Sequence, residues 1–228
     1  MDKIQIIEKL FSYLLNYSYL LLPLFFLFQK KKNRAILILL AVYGILFFLF
    51  FYFFDDIPRS YRKLQQTILT TLEYSFFAFF ILDGITVKRS RQIIIICSAL
   101  FILFQILYHF KSRLGRVDSI AVGVETILIF VYASLYFYQY FKQRTNSFIA
   151  TEPHFWIIVG VLLYLGSTFF FNILVNHVNY NQVKAIWHFT FIPEILKNIF
   201  FVVAMFYFQT SRVKTTKTSS TVPNLDMV

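Results

Sequence analysis

Residues 35–54 read AILILLAVYGILFFLFFYFF, twenty consecutive positions from Ala35 to Phe54 without one charged side chain. The hydrocarbon core of a bilayer takes about 20 residues of helix to cross. In water this stretch would expose apolar surface on every side, so it reads as a transmembrane helix. Working outward from it, six more apolar segments of similar length appear, separated by short loops rich in Lys, Arg, Asp or Asn. The spans are expected at roughly Gln5 to Phe28, Ala35 to Phe54, Thr67 to Val87, Ile93 to Phe110, Ile120 to Phe141, Phe155 to Asn176 and Thr190 to Phe208. Outer-membrane strands alternate apolar and polar residues over short segments, whereas these runs are apolar on all faces. The reading is an all-α membrane protein: a bundle of seven transmembrane helices over residues 1–209 and a disordered cytoplasmic tail over 210–228.

Composition agrees with that class. Only 14% of the 228 residues are charged and 58% are hydrophobic, where a soluble domain would carry about a quarter charged residues. The segment after Thr210 is rich in Ser, Thr and Lys and too short to bury a core. Cys97, the single cysteine, excludes an internal disulfide and reads as a small hydrophobe. Two acids and two lysines precede Leu10, and no small-residue cleavage site follows a short apolar core, so the first helix is expected to be retained. A net charge of +11 would suggest nucleic acid in a soluble protein. Here the basic residues have another use, as anchors of topology, and no nucleic-acid partner is expected.

With seven spans, one membrane face receives twelve Lys and Arg and the other nine. The tightest cluster, Lys30 to Lys32 with Arg34, sits hard against two helices, where such charges weigh most. The expected orientation is N-terminus outside and C-terminus cytoplasmic.

Function must come from the polar residues left inside the spans. An ionisable side chain in a membrane helix costs at least a few kcal/mol at its centre, so each needs a partner, a water-filled cavity or an interfacial position. Glu73, Glu125, Glu194 and Lys197 are the four that matter, and counting along helices three, five and seven at about 1.5 Å per residue gives them one depth in the outer third. Helix four adds Ser98, Gln105 and His109. Helix six adds Gly160, Tyr164, Thr168, Asn172 and Asn176 at every fourth position, and helix one adds Ser12 and Asn16. Glu194, Lys197 and Asn198 share a face just after Pro193, which is tolerated in a first turn and kinks a helix if deeper. Two readings compete for them. Glu194 and Lys197 could merely neutralise one another and fix packing, or Glu73, Glu125, Glu194 and Lys197, with Asn198, Asn172, Gln105 and His109, could line a ligand pocket. Three carboxylates and one ammonium leave excess negative charge, so either a carboxyl carries a proton or a cation enters.

The remaining polar residues read structurally. Asp83 is expected to snorkel or pair at the cytoplasmic end near Lys88 and Arg89, Asp118 with Ser119 to cap helix five, Trp156 and Trp187 to anchor in the interface, and His154 to be solvated.

No HExxH, GxSxG, Walker loop or closely spaced zinc-ligand pair occurs. A metal site assembled from His109, His177 and His188 beside the glutamates would make the chain a membrane-embedded metal-dependent hydrolase, a less favoured alternative. A lysine in helix seven and a carboxylate in helix three resemble the plan of microbial rhodopsins, with Lys197 bearing retinal and Glu73 and Glu194 as counterions. However, Glu194 stands three rather than four residues before the lysine, and helix six lacks the aromatic-and-proline pattern of a retinal pocket. No cofactor or metal is therefore expected.

Three patches carry a closer likeness: Leu72-Glu73-Tyr74-Ser75-Phe76-Phe77, Asp118-Ser119-Ile120 with Gly123 and Glu125, and Phe155-Trp156-Ile157 with Gly160, Tyr164 and Gly166-Ser167-Thr168-Phe169-Phe170. In these the chain resembles a family of small bacterial seven-helix integral membrane proteins. That resemblance implies a bacterial inner membrane and carries no catalytic motif. Two functions remain: a receptor-like sensor whose pocket binds a small ligand or cation and signals through a separate cytoplasmic partner, or a transporter of a small solute or a cation, coupled to protons. The nearly all-apolar lower half favours the sensor.

Overall fold

The computed structural model describes residues 3–29, 35–54, 61–111, 119–143, 148–174 and 187–210. They form α1 (Lys3–Leu27), α2 (Ala35–Phe54), α3 (Arg62–Gly84), α4 (Lys88–Lys111), α5 (Ser119–Gln143), α6 (Pro153–Leu174) and α7 (Phe191–Thr210), with single 3-10 turns before α6 and α7. All seven are long and apolar enough to cross a bilayer, and the described residues include no strand. The protein is a multi-pass membrane protein built as a seven-helix bundle. Thr210, placed in the expected tail, ends α7, while residues 211–228, the cap residue Asp118 and the 30–34 basic cluster lie outside the described residues.

The helices overrun the expected spans where basic residues flank them. Helix α3 begins at Arg62 rather than Thr67, and α4 at Lys88 rather than Ile93. Apolarity marks where hydrocarbon starts, but backbone hydrogen bonding carries a helix further, into the headgroup zone where lysine and arginine are hydrated. Pro153 and Pro193 both occupy first turns, where a missing N–H is no loss because those donors have no intrahelical acceptor.

Helix α3 packs against α2, α4, α5 and α6, while α7 lies between α6 and α1 and also touches α2. Helix α4 is peripheral. Only Ile94, Phe101 and Gln105 of it are buried, and its Ile95, Ile96, Leu100, Leu103 and Leu107 face outward, as lipid requires.

Two glycines set the closest approaches. A Cβ on Gly160 of α6 would stand 2.9 Å from Phe200 Cβ and 3.3 Å from the Lys197 carbonyl oxygen. In α1, Pro23 has no N–H to offer the carbonyl of Tyr19 four residues earlier. Gly44 of α2 covers that carbonyl, and a Cβ there would meet it at 2.5 Å, with Leu22 Cβ and Pro23 Cδ both at 2.9 Å. Small residues let helix backbones approach this closely in a bilayer, where packing rather than water exclusion drives association.

A hydroxyl cluster ties α3, α4 and α5. The Tyr74 hydroxyl lies 3.0 Å from Ser98 Oγ, to which it donates, and 2.8 Å from the Tyr132 hydroxyl. Ser98 therefore serves this seam. Tyr74→Phe is expected to cost about 1 kcal/mol, the ordinary worth of such bonds in membranes. Thermal unfolding of the variant in nanodiscs, set against wild type, measures it.

Candidate functional site

The first two turns of α7 turn Glu194, Lys197 and Asn198 inward on one face. Lys197 is completely buried. Its Nζ lies 3.1 Å from Glu73 Oε1 on α3 and 3.9 Å from Glu194 Oε1 one turn earlier. Tyr164 of α6 places its ring 3.9 Å below the ammonium, and Phe77, Tyr43 and Tyr19 place theirs at 5.3, 5.6 and 5.8 Å. Aromatic faces attract a cation within about 6 Å, more strongly once it has lost its water.

Both carboxylates are held a second time by phenols. The Tyr164 hydroxyl donates to Glu73 Oε2 at 3.2 Å, and the Tyr19 hydroxyl donates to Glu194 Oε1. Asn198 Nδ2 donates to Ser18 Oγ at 2.7 Å, and the Ser18 hydroxyl in turn donates to the Leu15 carbonyl at 2.6 Å. Helices α1, α3, α6 and α7 therefore converge on one ammonium.

Beside this cluster lies a cavity of about 210 Å³. Glu73, Glu125 and Glu194 line it, with Gln66, Thr70, Thr168 and Thr190 as other polar groups, and Tyr164, Phe51, Phe171 and Phe191 as aromatic wall. Ser12 and Asn16 line a smaller void of about 30 Å³ that shares Leu15 and Phe51 with it. Glu125 is 2% exposed, and its Oε1 has no hydrogen-bond partner among the described residues.

The three glutamates thus share one cavity wall, with Lys197 and Asn198 packed behind it. Glu73 is further along its helix than expected, eleven residues from Arg62 and eleven from Gly84, or about 16 Å from either end. It still meets Lys197, which stands six residues from the start of α7 at Phe191. Gln105 and His109 are not among the residues that line the cavity, and the main packing of α4 is against α3 and α5. Gln105 is buried, with neither amide atom partnered among the described residues, and His109 Nδ1 lies 3.0 Å from Thr67 Oγ1. Asn172 is on α6 with its side chain outside the described set, as are His177 and the side chains of Trp187 and His188.

Elsewhere the structure redraws several pairings. Asp83 bonds His154 Nε2 at 2.9 Å across α3 and α6, and His154 is part-buried rather than solvated. Trp156 donates to the Ala150 carbonyl and stacks on Phe200 and Tyr207 of α7, so it is a packing residue more than an interfacial anchor. Lys197 does not line the cavity, and its amine is fully buried between Glu73, Glu194 and the surrounding rings. Among the described residues no group of three His, Cys, Asp or Glu could hold a metal ion.

Sequence reasoning did not single out Tyr19, Ser18 or Tyr43, and it met Phe77 only as the end of the Leu72 to Phe77 patch. A signal existed for Tyr19: Pro23 follows it by four residues, marking a freed carbonyl where another helix could approach. No family model, no curated protein and no solved structure matches the chain.

Proposed function

We propose that this protein is a receptor-like sensor of the bacterial inner membrane, with the face on which α1, α3, α5 and α7 begin turned to the periplasm. A small ligand or cation would enter the acidic cavity, change the pairing of Glu73 and Glu194 with Lys197, and shift α7 against α6. A separate cytoplasmic protein would read that shift. The observation that carries this reading is the cavity's floor. Beyond Lys197 the interior is filled by Leu22, Leu37, Leu40, Phe80, Ile81, Val161, Phe201, Ala204 and Met205, all fully buried. A pocket ending on such a plug suits binding and release from one face. A ligand moves a two-state equilibrium only by binding one state better, and rearranging a buried ion pair supplies enough energy for that.

One observation favours the second reading, a carrier of small solutes or cations. Glu73 stands midway along α3, and carrier sites lie near the membrane midplane. Vesicles containing the purified protein separate the two. The sensor reading expects no proton or solute flux above that of empty vesicles. A flux that disappears in Glu73→Gln or Glu194→Gln would replace it with the carrier.

A further inference from the structure

We infer that the cavity's ligand is a small organic ammonium ion and that Glu125 is the carboxylate that receives it. This rests on the pocket reading above and names the chemical class of its ligand. The charge inventory leads there. The positive charge of Lys197 is committed to Glu73 and Glu194, and each of those also accepts a tyrosine hydroxyl. Glu125, on α5, stands on the same wall, 2% exposed, and its Oε1 has no hydrogen-bond partner among the described residues. A carboxylate buried without a cation is costly and is relieved by a proton or by an entering cation, and the cavity beside Glu125 gives a cation the room to reach it.

The wall chooses among cations. Phe51, Phe171 and Phe191 line the same space, and a hydrated inorganic ion would have to give up water against their rings. A divalent metal needs several oxygen ligands at about 2.0 to 2.6 Å, and no group of three acids or histidines among the described residues could supply them. An organic ammonium offers N–H donors to Glu125 and a hydrocarbon body to the rings. The protein already holds one ammonium this way, since Lys197 Nζ sits between a carboxylate at 3.1 Å and a tyrosine face at 3.9 Å. The volume of about 210 Å³ equals about seven waters in the liquid, room for a compact amine.

The test uses the full chain in nanodiscs, with Cys97→Ala to remove the native thiol and Thr168→Cys to place one on the cavity wall. The thiol is modified by 2-aminoethyl methanethiosulfonate, a cation, and by 2-sulfonatoethyl methanethiosulfonate, an anion. Each rate is normalised to that with a free thiol. The cation is expected to react about tenfold faster or more, and Glu125→Gln to lower that ratio by about tenfold, as loss of one nearby charge in a low-dielectric site implies. In the chain that retains Glu125, n-butylammonium chloride is expected to slow the reaction while n-butanol and sodium chloride do not. That arm stands even if the Glu125 variant fails to fold. A ratio near one, a ratio unchanged in Glu125→Gln, or equal protection by n-butanol or sodium overturns the ammonium assignment and leaves the pocket intact. Failure of both reagents to reach the cysteine overturns the pocket itself.

Discussion

Lys197→Met is expected to destabilise the bundle by about 3 to 5 kcal/mol, the usual consequence of removing one member of a buried ion pair. Methionine has similar length and is at home in a core, so the loss comes from charge rather than volume. Glu73 and Glu194, 6% and 9% exposed, would keep their tyrosine donors and lose their common cation. Unfolding midpoints in nanodiscs measure the effect. The same reasoning gives a sharper test by restoration. Removing the stranded charges with Glu73→Gln and Glu194→Gln in the Lys197→Met background should recover most of the loss, because a buried ion network and a neutral hydrogen-bonded one are often similar in stability. Should the triple variant be less stable than Lys197→Met alone, the glutamates matter through something other than their pairing with Lys197.

Gly44→Val should be nearly as damaging, by about 1 to 3 kcal/mol or somewhat more. The obstruction at Gly44 is backbone, the Tyr19 carbonyl oxygen at 2.5 Å, which cannot turn aside as a side-chain tip would. Either α1 or α2 must move, and with α1 goes Tyr19, whose hydroxyl holds Glu194. The effect should therefore reach the cavity. In the Thr168→Cys chain, Gly44→Val is expected to change the modification rate at the cysteine although position 44 does not line the space. Gly123→Ala is the control, since nothing lies within 4 Å of a Cβ there. That change is expected to be neutral or stabilising by a few tenths of a kcal/mol, because alanine is the better helix former. Equal destabilisation by both substitutions would show that helix propensity, not the α1–α2 approach, governs the response.

The candidate site was partly legible before any coordinates. Glu73, Glu125, Glu194 and Lys197 stand out because charge is expensive in hydrocarbon, and the structure gathers all four within one cluster and its adjoining cavity. The every-fourth spacing of Gly160, Tyr164 and Thr168 also translates into one face: Gly160 against α7, Tyr164 under the ammonium, Thr168 on the cavity wall. Gln105 and His109 look equivalent by depth and periodicity, yet they point into the α3–α4–α5 side of the bundle. Depth is a property of one helix, whereas a shared site also depends on how each helix is rotated and which neighbours it has. Periodicity within a helix records neither. Tyr19 was hard to pick out for a different reason: tyrosine is common at membrane interfaces as well as in membrane cores, and only Pro23 four residues on marked its place.

The amino-acid sequence by itself determined the class of this protein and the number of its spans, because a bilayer imposes the same demand on every segment: about 20 apolar residues with all backbone groups bonded internally. It also determined which side chains need an explanation, since the cost of burying charge is set by residue type and depth. Tertiary structure alone decided what each charge meets. The pairing of Lys197 with Glu73 joins residues 124 apart in the chain, and it depends on a glycine, a proline-freed carbonyl and an aromatic floor contributed by other helices. Lipid is indifferent to which apolar face it touches, so hydropathy leaves helix rotation open. Close packing between helices closes that choice, and with it decides which glutamate is left facing the cavity alone.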